Sequence, residues 1–142
     1  MRVHKQLFFD LILTFHPFAR QLNAYLETFE LRRPEWAILY LFINEPELSL
    51  TEVGQFLNMD QANVTRAIKY LVKLDYIEIQ PSKSDRRKKD ILITEIGRQV
   101  YETLQTQITL FELELVEGFT EEELAITQRT LETVRARLLQ KE

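Results

Sequence analysis

Gln61, Asn63, Thr65, Arg66 and Lys69 fall together in the stretch from Asp60 to Leu74, which has the spacing of a short amphipathic helix. These side chains match what DNA base edges offer. Gln and Asn pair bidentately with adenine, Arg forks onto guanine, and a Thr methyl meets a thymine methyl. A dense basic run follows, Lys83-Ser84-Asp85-Arg86-Arg87-Lys88-Lys89-Asp90, set between two strand-like pieces, Tyr76–Ile79 and Ile91–Ile93. That is a hairpin with a positive tip, a wing. Arg87 is placed to enter a minor groove, where A·T-rich narrowing deepens the negative potential. Asp85 would be repelled by DNA, and its spacing suits pinning the Arg87 guanidinium instead. Lys83, Arg86, Lys88 and Lys89 are placed to neutralise phosphates. A polar helix face alone is what any surface helix has, and a basic loop alone is often a soluble hairpin tip. Their adjacency points to winged helix-turn-helix binding of double-stranded DNA.

The elements that must hold these residues are mostly helices. Leu7, Leu11, Phe15, Phe18, Leu22, Tyr25 and Phe29 recur every three or four residues, so a first helix is expected over 3–29, kinked near Pro17. Asp10 interrupts the apolar run at Leu7–Leu13, which therefore reads as a core helix and not as a secretory signal. Pro34 opens a second helix whose buried face is Trp36, Leu39, Tyr40 and Ile43, and Asn44-Glu45-Pro46 ends it. Leu48-Ser49-Leu50 reads as extended, and Thr51 as the N-cap of a helix over 52–57. Gly54 inside that helix implies a close neighbour. Asp60 caps the next helix, with Ala62 or Val64, Ala67, Ile68 and Leu71 inward. Two short helices across so tight a turn form a helix-turn-helix. Thr94 caps a long helix to about Glu117 with Ile96, Val100, Leu104 and Ile108 on one face. Gly118 breaks it, and Thr120-Glu121-Glu122-Glu123 opens the last helix with a capping box. Ser49, Thr51, Arg32 and Arg33 are further candidates for DNA-backbone contact.

The net charge is −4, yet the segment from Asp60 to Asp90 holds eight Lys/Arg against five Asp/Glu, a balance of +3 that leaves −7 elsewhere. Screening confines charge effects to about 10 Å at roughly 0.1 M salt, so the local field governs contact with phosphates. The chain has no cysteine and two histidines. Disulfides and thiolate metal sites are thereby excluded, no zinc site is expected, and a cytoplasmic location is expected. No glycine-rich phosphate loop and no nucleophile–histidine arrangement speak for an enzyme, and no cofactor is implied. No run approaches the roughly 18 apolar residues of a membrane span.

Asp85-Arg86-Arg87 followed by Ile93-Thr94-Glu95 and Gly97 resembles the wing-to-helix signature of MarR-type transcriptional regulators. Helix order and length are similar over essentially the whole chain, and Pro34-Glu35-Trp36 and Asn63-Val64-Thr65-Arg66 fit the same family. Asp75 stands where that family often has Gly before the wing strand, and Gln80 where a basic residue is frequent. The resemblance implies a mainly α fold with a small β-wing (α+β). It implies one MarR-like domain over 1–142, with a winged lobe at 34–97 between dimerisation helices at 1–30 and 98–142. It also implies a homodimer, more often a repressor, released from its operator by a small molecule. Two-fold symmetry makes that operator near-palindromic. A pocket for a small aromatic or phenolic effector is expected around Phe15, His16, Arg20 and Tyr40. The competing reading is a winged-helix module for docking or dimerisation without DNA, which would favour a neutral or acidic wing and an apolar recognition helix.

Overall fold

The computed structural model describes residues 2–85 and 89–142. Its elements run α1 (Arg2–Glu27), α2 (Arg33–Asn44), α3 (Leu50–Leu57), α4 (Gln61–Lys73), β1 (Ile77–Pro81), β2 (Lys89–Ile93), α5 (Glu95–Leu115) and α6 (Glu121–Gln140). The chain divides into two compact units, residues 1–108 and 109–142. The fold is mainly α with one two-stranded antiparallel hairpin. Among the described residues no helix is long and apolar enough to cross a membrane.

In the first unit α1 runs unbroken through Pro17 and stops two residues short of the expected Phe29. Glu30 takes a left-handed φ of 61°, and the Leu31 N–H returns to the Leu26 carbonyl at 3.0 Å. This closes the helix and drives Leu31 into the core beside Leu26. Helix α2 starts at Arg33, so Pro34 sits at its second position, where a missing N–H is still harmless. Its buried side is Ile38, Leu39 and Leu41, while Tyr40, expected inward, is exposed. On α5, Ile96 is likewise exposed, and the inward row is Val100, Tyr101, Leu104 and Ile108. Tyr101 stacks on Trp36 at 5.3 Å between ring centroids, and its hydroxyl accepts from Asn44 Nδ2 at 2.8 Å.

The stretch at Leu48–Leu50 is not a strand. Ser49, and not Thr51, caps α3: its Oγ accepts the Glu52 N–H at 3.1 Å and the Glu52 carboxylate accepts the Ser49 N–H at 3.0 Å. This reciprocal pair satisfies two helix-end donors at once, which a hydroxyl two residues later could not do. Asn58, with φ 54°, ends α3, and Met59 N–H reaches back to the Gly54 carbonyl at 2.8 Å. Asp60 then caps α4 as expected. Gly54 is the contact point of the two helices: a Cβ there would lie 3.2 Å from Val64 Cγ2 and 2.4 Å from Gln61 Nε2.

Helix α4 ends with Asp75 in the left-handed region (φ 63°), its N–H bonded to Val72 O at 2.9 Å and the Tyr76 N–H to Leu71 O at 3.0 Å. That geometry favours Gly, and Asp is among the residues that tolerate it. The hairpin pairs Ile77 with Ile93, Ile79 with Ile91 and Pro81 with Lys89. In the second unit Gly118, with φ 88°, stops the chain from continuing helically. Thr120 and Glu123 then form the expected capping box of α6.

Candidate nucleic-acid interface

Helix α4 turns Val64, Ala67, Ile68 and Leu71 into the core, a three- and four-residue rhythm that leaves Gln61, Asn63, Thr65, Arg66 and Lys69 outside. The expected recognition face is therefore on the surface, with Val64 and not Ala62 as the first inward residue. Its side chains are not equivalent. Asp60 Oδ1 accepts the Asn63 backbone N–H at 2.8 Å, and Asp60 Oδ2 accepts Asn63 Nδ2 at 3.0 Å. Asn63 Oδ1 in turn accepts from Arg66 Nη2. The Thr65 hydroxyl donates to the Gln61 carbonyl at 2.8 Å, turning its proton back to the helix. The Gln61 amide lies over Gly54, as the 2.4 Å approach of a Cβ at 54 to its nitrogen shows. Lys69 is exposed one turn beyond Thr65.

The wing leaves this lobe through β1 and returns through β2. Lys83 and Lys89 are exposed on its two sides, and Asp85 is half-buried. Ser82 Oγ accepts the Ser84 N–H at 3.3 Å, which tightens the turn after Pro81. Arg86, Arg87 and Lys88 lie outside the described residues, and with them the expected Asp85–Arg87 pairing. Two bonds lock the wing to α5. Thr94 Oγ1 donates to the Asp75 carbonyl at 2.6 Å and accepts the Gly97 N–H at 2.9 Å, so one hydroxyl ties the end of α4 to the start of α5.

The arginines at the start of α2 are committed locally. Arg32 pairs with the carboxylate of Glu35 and lies over the Tyr70 ring, 5.4 Å from its centroid. Glu35 itself is buried, an outcome its sequence position behind Pro34 did not suggest. Arg33 lies over the Phe15 ring at 5.1 Å. Asn63 and Arg66 share an open groove of about 670 Å³ with Arg32, Glu35, Leu57 and Met59. Ser49 is occupied in capping, and Thr51 is exposed in the first turn of α3. Of the residues expected to line an effector pocket, Phe15, His16 and Arg20 are exposed on α1, with the Phe15 and His16 rings edge-on at 5.6 Å. Tyr40 tilts against Tyr101 at 6.4 Å.

Among the described residues two ionisable groups are perturbed. Bonds from the Ser49 backbone and hydroxyl hold the Glu52 carboxyl below the usual range. Burial, then the Glu30 charge and Tyr70, push the Tyr76 phenol above its ordinary value. Neither group lies on the α4 face. Both belong to the scaffold that supports it.

Residues 29–88, the span from the end of α1 into the wing, match the model of the MarR family. Over that span the winged lobe is similar to the MarR family. The uncharacterised helix-turn-helix-type transcriptional regulator YwoH of Bacillus subtilis is 29% identical over 105 residues, 74% of this chain and 76% of its own. Staphylococcus aureus MarR in complex with salicylate and kanamycin superposes with a TM-score of 0.84 at 18% identity, covering 100% of this chain and 96% of that one. The S. aureus MepR–DNA complex superposes at 0.78 and 20% identity, covering 90% and 93%. The chain is thus similar to the MarR family and to a helix-turn-helix-type transcriptional regulator.

The Asp60–Asn63–Arg66 chain was absent from the sequence reading. Its i, i+3, i+6 spacing was the available signal, since residues three apart on a helix are neighbours. The Arg32–Glu35 pair has the same i, i+3 spacing, but nothing in that spacing signals that Glu35 is buried.

Proposed function

We propose that this chain is a homodimeric, sequence-specific repressor that leaves a near-palindromic operator when a small aromatic or phenolic molecule binds. The observation that carries DNA reading is the exposed polar face of α4 beside a basic hairpin, within a segment of net charge +3 in an otherwise acidic chain. Support for a dimer comes from α1 and α6. Phe8, Phe9, Leu11 and Ile12 on α1 are each at least 45% exposed, and α6 has no buried residue. Apolar surface of that extent marks an interface in a folded protein. Support for a small-molecule effector comes from the salicylate complex of a structurally similar protein, and the direction of regulation from family likeness.

The test is selection from a randomised duplex pool, with Arg87→Ala beside the unaltered protein. A near-palindromic site whose affinity falls steeply with salt, and falls further in the variant, is the expected result. Absence of enrichment at low salt, with both proteins alike, would favour the docking module instead.

A further inference from the structure

Asp60 uses its two carboxylate oxygens for different purposes. Oδ1 caps α4 through the Asn63 backbone N–H, and Oδ2 holds the Asn63 side-chain nitrogen at 3.0 Å. A carboxylate only accepts hydrogen bonds, so it dictates which way round the Asn63 amide stands. The nitrogen must face residue 60, and Oδ1 must therefore face along the helix. Arg66, one turn on, donates Nη2 to that oxygen.

We propose that Asp60 is a specificity-positioning residue. Through the Asn63 amide it sets the Arg66 guanidinium for a two-pronged contact with one guanine in each half-site. The proposal rests on the DNA-binding reading above. Arg carries five N–H donors in a rigid fork, and one bond to Asn63 leaves enough for guanine O6 and N7. Holding the fork in place beforehand reduces the side-chain freedom lost on binding. Asn63 then orients a reader and is not itself the reader, because its oxygen and one of its two N–H donors are already engaged. Gln61 is folded over Gly54 and the Thr65 proton is turned inward, so Arg66 is the reader in the first turns of α4.

Asp60→Asn separates capping from positioning. Asn caps a helix as well as Asp does, so the helix start is retained. Its Nδ2 would now face a donor, and relief requires the Asn63 amide to turn over and present nitrogen to Arg66. Turning residue 60 instead would put its nitrogen against the Asn63 backbone N–H and lose the cap. Asn63→Ala removes the link directly while leaving the Asp60 cap in place, and carries the test if Asp60→Asn folds poorly.

The experiment is operator selection and competition binding with the unaltered protein, Asp60→Asn and Asn63→Ala, at several salt concentrations. Both variants are expected to lose about tenfold or more of the preference for one G·C pair per half-site. Preferences elsewhere in the site should stay the same, and in Asn63→Ala, which changes no charge, so should the slope of affinity against salt. Variants that keep the full preference at every position would overturn the proposal alone. So would a uniform loss of affinity on all sequences. An unaltered protein that selects no site would overturn the DNA reading and the proposal together.

Discussion

Gly97 lies directly on the backbone of Tyr76: a Cβ at position 97 would stand 2.0 Å from the Tyr76 carbonyl oxygen and 2.8 Å from its carbon. The Tyr76 carbonyl also accepts the Thr94 N–H at 3.1 Å, so the start of the wing and the start of α5 form one joint. Gly97→Ala must push backbone against backbone. Overpacking of this kind costs about 1–3 kcal/mol or more, and a drop of at least about 2 kcal/mol in urea unfolding is expected. A variant as stable as the unaltered protein would show that the joint can open without loss.

Ser49→Ala should destabilise by about 1 kcal/mol, the usual worth of a helix cap. Thr51→Ala should stay within about 0.5 kcal/mol, because its hydroxyl caps nothing. Equal effects from the two substitutions would return the cap to Thr51.

The Glu52 carboxyl titrates below its ordinary range because Ser49 bonds hold it charged. Its contribution is therefore complete above the ordinary carboxylate range and is lost as pH falls through the depressed value. In Ser49→Ala that acid-side loss should shrink, which urea midpoints between neutral and acid pH would reveal.

Tyr76 behaves in the opposite sense. Its folded-state value is raised, by burial first and then by Glu30 and Tyr70, while its hydroxyl donates to the Phe29 carbonyl at 2.9 Å. Stability from this group is complete below the ordinary tyrosine value and is lost as pH rises through the raised one. Tyr76→Phe should flatten the alkaline limb and cost about 1–2 kcal/mol at neutral pH, by leaving the Phe29 carbonyl without its donor. An alkaline limb unchanged in Tyr76→Phe would assign it to another group.

Asp75 holds a left-handed φ of 63° at the end of α4. Asp75→Gly removes that strain but loosens the unfolded chain, and the two terms differ by only a fraction of a kcal/mol. A gain of about 0.5 kcal/mol or less is expected by thermal or urea unfolding. A loss would mean that the Asp75 side chain contributes more than the backbone strain costs.

The elements themselves were legible because they are local. The three- and four-residue rhythm in α4 and α5, the Asp60 cap and the Thr120–Glu123 box each depend on residues within one or two turns. Ser49 was passed over in favour of Thr51 because both residue types cap well; the Ser49–Glu52 spacing decides between them. A glycine inside so short a helix signals a close approach, but its spacing does not name the partners Val64 and Gln61.

The sequence by itself determined a helical lobe with a hairpin, a recognition face of five polar side chains, and a positive segment in an acidic chain. Only the tertiary structure decided how those side chains are used. It buried Glu35, turned Tyr40 outward and Tyr101 inward, stacked Tyr101 on Trp36, laid Gln61 over Gly54, and set the Arg32 guanidinium over the Tyr70 ring. Periodicity records which side of a helix faces the core. Which acceptor a given donor reaches depends on what the fold brings within about 3 Å of it, and no local spacing carries that distance between separate elements.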